Sequence, residues 1–124
     1  MLRDILPAMP QRDRTIDYLE VSVPEVAATK TFFGEAFGWT FTDYGPDYSS
    51  FASADAGLDG GFARADVAGK GPFLPVLYAA DLEATQARIE SAGGTIVKPI
   101  FSFPGGRRFH FADPSGNEWA VWSE

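Results

Sequence analysis

The residues best able to do chemistry sit at the end of the chain. The segment GGRRFHFADPSGNEWAVWSE, residues 105–124, holds the only histidine, His110, beside Arg107 and Arg108 and close to Asp113 and Glu118. An imidazole among carboxylates is the raw material of a metal site or a general base. Paired guanidiniums can grip a carboxylate or phosphate, although a solvated strand end accounts for them equally well. The rest of the chain is chemically sparse. It has no cysteine, which excludes thiolate catalysis, cysteine-bound zinc and disulfides, and fits a reducing compartment. No serine lies in a G-x-S-x-G elbow, so a hydrolase triad is not supported. Gly60-Gly61 and Gly105-Gly106 lack a phosphate-loop frame and read as turns. Asp55, Asp59 and Asp66 are too spread for a calcium loop and read as wetting a turn-rich segment.

The elements that must position this cluster can be read from pattern. The 124 residues fit one compact domain, and 45% hydrophobic with 22% charged content is globular composition. Aromatic residues make up 15%, enough to fill a core, an interface or a pocket. A net charge of −7 argues against a phosphate backbone or an anionic lipid surface, so neither nucleic acid nor membrane is an expected partner. No apolar run reaches the roughly 20 residues of a spanning helix. The first fifteen residues carry charge from the third onward and do not resemble a secretion signal, so they read as a loose leader of a cytoplasmic protein.

From residue 16 the pattern sharpens. Leu19, Val21 and Val23 alternate with Tyr18, Glu20 and Ser22, the period of a two-faced strand. A helix is predicted over residues 24–37, with Val26, Lys30, Phe33 and Phe37 along one stripe and Phe32 and Ala36 beside it. Short strand-like pieces follow around Phe41, Tyr44, Phe51 and Phe62, and residues 67–72 read as a hinge. Then the order repeats, with a strand near residues 73–79, a helix over about 81–92 capped by Asp81, and a stop at Gly93-Gly94. A slide of 56 positions brings Val26 onto Leu82, Phe33 onto Ile89 and Gly38 onto Gly94. We read an internal duplication, with modules over about 16–66 and 73–124. The chain closes on strands near 107–112 and 117–123, joined by a turn at Asp113-Pro114-Ser115-Gly116.

Together, "IDYLEVSVPEVAATKTFFGEAFGWTF", "YAADLEATQARIESAGGTI" and "FHFADPSGNEWAVWSE" resemble the vicinal oxygen chelate superfamily of glyoxalases, bleomycin-resistance proteins and dioxygenases. The resemblance covers residues from about 16 to the C-terminus, and its most specific part is the closing F-x-DP-x-GN. It implies an α+β fold of two βαβββ modules forming a curled mixed sheet around a cleft, and a homodimer. The family's metal ligands, carried over by position, fall on Tyr18, Leu74 and Ala120, with a fourth near Gly61 or Phe62. None of the first three can ligate a hard cation. No metal or other cofactor is therefore expected, unless ligands have moved, for instance to Glu20 or Glu118.

The family pattern puts Ala120 on the cleft side. If the turn spans residues 113–116, Phe109 pairs with Ala120 and His110 with Trp119. The expected cleft then takes Arg107, Phe109, Phe111, Glu118 and Trp122, while Arg108, His110, Trp119 and Val121 face away. His110 becomes structural, although a one-residue bulge would exchange the faces. Tyr18 and Glu20 from the first module, and Leu74, Val76 and Tyr78 from the second, complete a wall of apolar and aromatic groups suited to a small molecule. The favoured expectation is a metal-free protein binding a small aromatic or planar ligand. The first alternative is a lyase, isomerase or dioxygenase of the same superfamily, with a divalent metal on displaced ligands or with Tyr18 or Glu20 as acid–base groups. The second is an interaction module whose cleft is filled by its own rings.

Overall fold

A computed structural model describes residues 11–65 and 71–124. Most of the expected hinge, and the leader before residue 11, lie outside the described residues. The chain forms two compact units. One contains Tyr18–Phe73, and the other contains Leu74–Glu124 together with Gln11–Asp17.

The first unit is built on β1 (Thr15–Val23), α1 (Val26–Phe37), β2 (Phe41–Asp43), β3 (Tyr48–Phe51), the single turn α2 (Ser53–Ala56) and β4 (Gly60–Arg64). Its strand order is β2-β3-β4-β1, with β1 parallel to β4 and the other pairs antiparallel. The parallel pair requires a long crossover, which α1, β2 and β3 supply. The predicted alternation in β1 holds, because Val21 and Val23 pack on a core of Val26, Phe51 and Phe62. Phe33 stacks on Trp39 at 4.9 Å and on Phe62 at 5.5 Å, so rings rather than aliphatic side chains fill the space beneath α1. The far end of the predicted helical stripe departs from expectation. Phe37 is 64% exposed, and Phe32 beside the stripe is 59% exposed.

The second unit repeats the plan with β5 (Phe73–Tyr78), α3 (Leu82–Ser91), β6 (Thr95–Phe103), β7 (Gly106–Ala112) and β8 (Glu118–Ser123). Its order, β5-β8-β7-β6, has the same parallel first pair followed by antiparallel pairs. Asp81 caps α3 as predicted, its Oδ1 accepting from Ala84 N at 3.0 Å. The core is Ala79, Leu82, Phe109 and Val121, with Leu77, Ile89, Ile96 and Phe111 against it. Residues 11–15 are tied to the end of β5. Arg14 N donates to Tyr78 O at 2.7 Å, and Ala80 N donates to Asp13 Oδ1 at 2.9 Å. Among the described residues no helix is long and apolar enough to cross a membrane.

Candidate functional site

The register of the terminal hairpin decides which residues can act together, and it differs from the expected one by a single position. The turn itself forms as read. Gly116 N donates to Asp113 O at 2.9 Å, and Gly116 takes φ 89°, which favours glycine. The Asp113 carboxylate then reaches past the turn. Its Oδ1 accepts from Ser115 N at 2.9 Å and Asn117 N at 3.0 Å, and its Oδ2 from Asn117 Nδ2 at 3.1 Å and Trp119 Nε1 at 3.2 Å. These donors, the Asn117 backbone first, hold the carboxyl below the usual carboxylate range. Asn117 is thereby drawn out of the strand and into a five-residue loop, closed by Asp113 N on Asn117 O at 2.9 Å.

One extra loop residue exchanges the two faces of β7 relative to β8. Phe109 pairs with Val121, His110 with Ala120 and Phe111 with Trp119. Three residues expected to share the Ala120 face are corrected by this register. Phe109 is completely buried in the core under α3, and Phe111 packs beside it. Arg107 turns to the same helix and forms a bidentate pair with Glu83 at 2.9 and 3.1 Å, which raises the pKa of its guanidinium. Conversely, Arg108 and His110, expected to face away, share the face opposite α3 with Glu118, Ala120 and Trp122. Val76 and Tyr78 lie on this face, because they pair with Ala120 and Trp122, and Leu74 follows by alternation along β5.

This face carries a continuous row of rings and cations. Tyr78 meets Trp122 edge-on at 5.3 Å, and Trp122 meets Phe103 at 6.4 Å. The Arg108 guanidinium lies over both Phe101 and Phe103, at 5.5 and 5.8 Å from their centroids. Phe101 leans on the His110 ring at 5.9 Å, and Lys98 Nζ is 5.5 Å from the same phenyl centroid. Trp122 is oriented by a bond from its Nε1 to Asp17 Oδ1 at 3.0 Å. A hydrogen bond with Glu124, then burial, raises the pKa of the Tyr78 phenol.

His110 is 4% exposed, and its Nδ1 lies 2.8 Å from Glu118 Oε2. Burial lowers the imidazole pKa. Arg108 and Lys98 push the same way, while the bond and charge of Glu118 oppose them. A neutral ring beside a carboxylate that can only accept must carry its proton on Nδ1. Nε2 then presents a lone pair. It is buried, with no hydrogen-bond partner among the described residues.

In the first module, Tyr18 and Glu20 lie on the face opposite Val21 and Val23. The Tyr18 and Tyr48 hydroxyls are hydrogen-bonded to each other above Gly61, which pairs with Glu20 across the ladder. Burial, then the neighbouring Tyr48, pushes the Tyr18 phenol up, so it stays protonated at neutral pH and is not a base there. A Cβ on Gly61 would strike Tyr48 Oη and come within 2.9 Å of Tyr18 Oη. Phe62 points into the core, which leaves Gly61 as the fourth position on the Tyr18 face. The positions that the resemblance assigns to metal ligands, with Gly61 taken as the fourth, carry a phenol, a hydrogen, an isobutyl group and a methyl. None of these fits a divalent cation. Among the described residues no three histidine, aspartate or glutamate side chains gather anywhere.

Sequence reasoning missed Lys98, Phe101, Phe103, Arg108 and His110 on the second module's face, and Tyr48 on the first. The one available signal was Asp113, whose short carboxylate can bond backbone two and four residues on and so claim Asn117 for the loop.

Comparison with known proteins agrees with this architecture. Residues 15–121 match the family model for the Glyoxalase/Bleomycin resistance protein/Dioxygenase superfamily. The anthracycline biosynthesis protein DauV of Streptomyces sp. (strain C5) is 33% identical over 85% of this chain. The chain spans only 45% of that relative's length. Methylmalonyl-CoA epimerase from Mycobacterium tuberculosis superposes with a TM-score of 0.70 over 98% of this chain and 94% of its own, at 12% identity. The Mn(II)-bound glyoxalase from Novosphingobium aromaticivorans gives a TM-score of 0.66 over 90% of this chain and 39% of its own, at 24% identity. Duplicated βαβββ modules, the closing DP-x-GN hairpin and the match over residues 15–121 lead to one conclusion: the chain belongs to the Glyoxalase/Bleomycin resistance protein/Dioxygenase superfamily.

Proposed function

We propose that this chain is a metal-free member of its superfamily that binds a small planar aromatic molecule. The observation that carries the reading is the row Tyr78, Trp122, Phe103 and Phe101 on the face opposite α3, with Arg108 laid over two of its rings. Clustered aromatic rings recognise flat aromatic ligands by stacked or edge-on contact and by excluding water, at about 0.5–1.5 kcal/mol per ring pair beyond the area buried. The donor set supports a cation-free binding site, because Tyr18, Gly61, Leu74 and Ala120 stand at the positions that the family resemblance assigns to metal ligands. Similarity to DauV, named for the biosynthesis of anthracyclines, which are fused-ring aromatics, supports the same ligand class.

The test is elemental analysis of untagged protein together with thermal melts in Mn(II), Ni(II), Zn(II) and EDTA. The reading expects substoichiometric metal and coincident melts, with a rise in Tm when a fused-ring aromatic is added in EDTA. Stoichiometric bound metal, or a melt that rises with one cation and falls in EDTA, would favour a metal-dependent lyase, isomerase or dioxygenase instead.

A further inference from the structure

Glu118 and His110 form a pair that the aromatic-binding reading leaves without a use. We infer that His110 Nε2 is the hydrogen-bond acceptor for a hydroxyl on the bound aromatic, so that the ligand class is a phenol rather than a bare hydrocarbon or a ketone. The inference rests on the binding reading above and adds the polar recognition that reading lacks.

Three observations converge. First, Nε2 is buried without a partner among the described residues, on a side chain 6% exposed. A buried polar atom with no partner is costly enough that a folded protein rarely keeps one without a reason. Second, the ring is held from its other edge. The Glu118 carboxylate bonds Nδ1 at 2.8 Å, which fixes both the tilt of the imidazole and its tautomer. Nε2 can then only accept, and only a donor satisfies it. Third, the surroundings suit a hydroxyl donor. Phe101 leans on the imidazole, and Arg108 and Lys98 stand over that phenyl ring, close enough for their charges to disfavour a protonated imidazole and so to keep Nε2 an acceptor. The groups on this face around His110 are therefore Glu118 from β8, Arg108 from β7, and Lys98 and Phe101 from β6. Glu118 acts through His110 and is a positioning residue.

The experiment titrates the full chain with 2-naphthol and with 2-methoxynaphthalene by calorimetry. The two share a fused ring, but only the first can donate. A purely greasy surface favours the more apolar ether, so the sign is diagnostic. The inference expects 2-naphthol to bind more tightly by about tenfold, the worth of one hydrogen bond to a buried acceptor. His110→Phe removes that preference while the ether still binds. Glu118→Gln, whose amide oxygen still accepts from Nδ1, keeps most of it, and Glu118→Ala loses it. In wild type the preference for the naphthol declines on acidification, as Nε2 takes up a proton, while ether affinity does not change. Tighter binding of the ether, or equal affinity for the two probes, overturns the inference and leaves aromatic binding standing. Binding of neither overturns the aromatic-binding reading, and this inference with it.

Discussion

The register of the terminal hairpin can be tested by removing one ring. Phe109 is completely buried among Ala79, Leu82 and Val121. Phe109→Ala therefore loses the transfer free energy of the ring and leaves a cavity that α3 and β8 can only partly close. Such truncations cost about 3–5 kcal/mol. Against a total stability of about 5–15 kcal/mol, that is a large share, and at roughly 4 °C per kcal/mol the melting temperature falls by about 12–20 °C. The neighbouring substitution His110→Phe is the control. It removes the bond to a half-exposed Glu118 together with a nitrogen that has no partner, so it stays within about 1.5 kcal/mol of wild type. Urea melts followed by circular dichroism measure both, and unchanged m-values confirm that the compactness of the end states is preserved. The opposite ranking, with Phe109→Ala costing under about 1 kcal/mol and His110→Phe more than about 3, would mean that Phe109 faces the binding side. The account of the site would then fail.

Other consequences can be checked individually. His110 has a folded pKa below its ordinary 6.5, so the unfolded chain takes up a proton first on acidification. Its contribution to stability is complete above pH 6.5 and lost as pH falls from there toward the depressed value. His110→Phe should flatten that part of the pH–stability curve and leave the carboxylate-driven loss at lower pH untouched. Asp113, with its lowered pKa, contributes stability that is present above its ordinary value of 3.8 and lost as pH falls through the folded value. Asp113→Ala should remove that step, lower Tm and broaden the Trp119 indole resonance in NMR. Gly61→Ala forces a methyl into the Tyr18–Tyr48 pair and should cost about 1–3 kcal/mol in a urea melt, whereas a neutral result would mean that the phenols do not sit over this glycine. Phe101→Ala, by removing a ring from the wall but not from the core, should weaken 2-naphthol binding severalfold in calorimetry with little change in Tm.

The fold was legible because its signals are local. Period-2 alternation placed the valines of β1 beneath α1, and Asp81 marked the start of α3 through its own carboxylate. The repeat of helix stripe and stop signal at 56 positions corresponded to two modules with the same pairing order. The site was less legible because it depends on register. A turn read as four residues became a five-residue loop once Asp113 had bonded Asn117, and that one residue moved Phe109 into the core and His110 out of it. Strand β6 failed to stand out for a related reason. It carries Pro99, lies at the sheet edge, and shifts register between Ile96 and Lys98 and again between Lys98 and Phe101, so alternation never persists. Phe101 and Phe103, which form half of the aromatic row, were hidden with it. Phe32 and Phe37 show the reverse error, because helical periodicity marks an apolar stripe without stating which of its residues are covered.

The central claim is that this chain recognises a flat aromatic molecule with side chains alone. The most direct measurement follows fluorescence quenching of Trp122, in a variant with Trp39 and Trp119 replaced by phenylalanine, as 2-naphthol is added to EDTA-treated protein. Saturable quenching in EDTA, unchanged when Mn(II) or Zn(II) is restored in excess over the chelator, is the result expected. Quenching that appears only after a divalent cation returns would contradict the account.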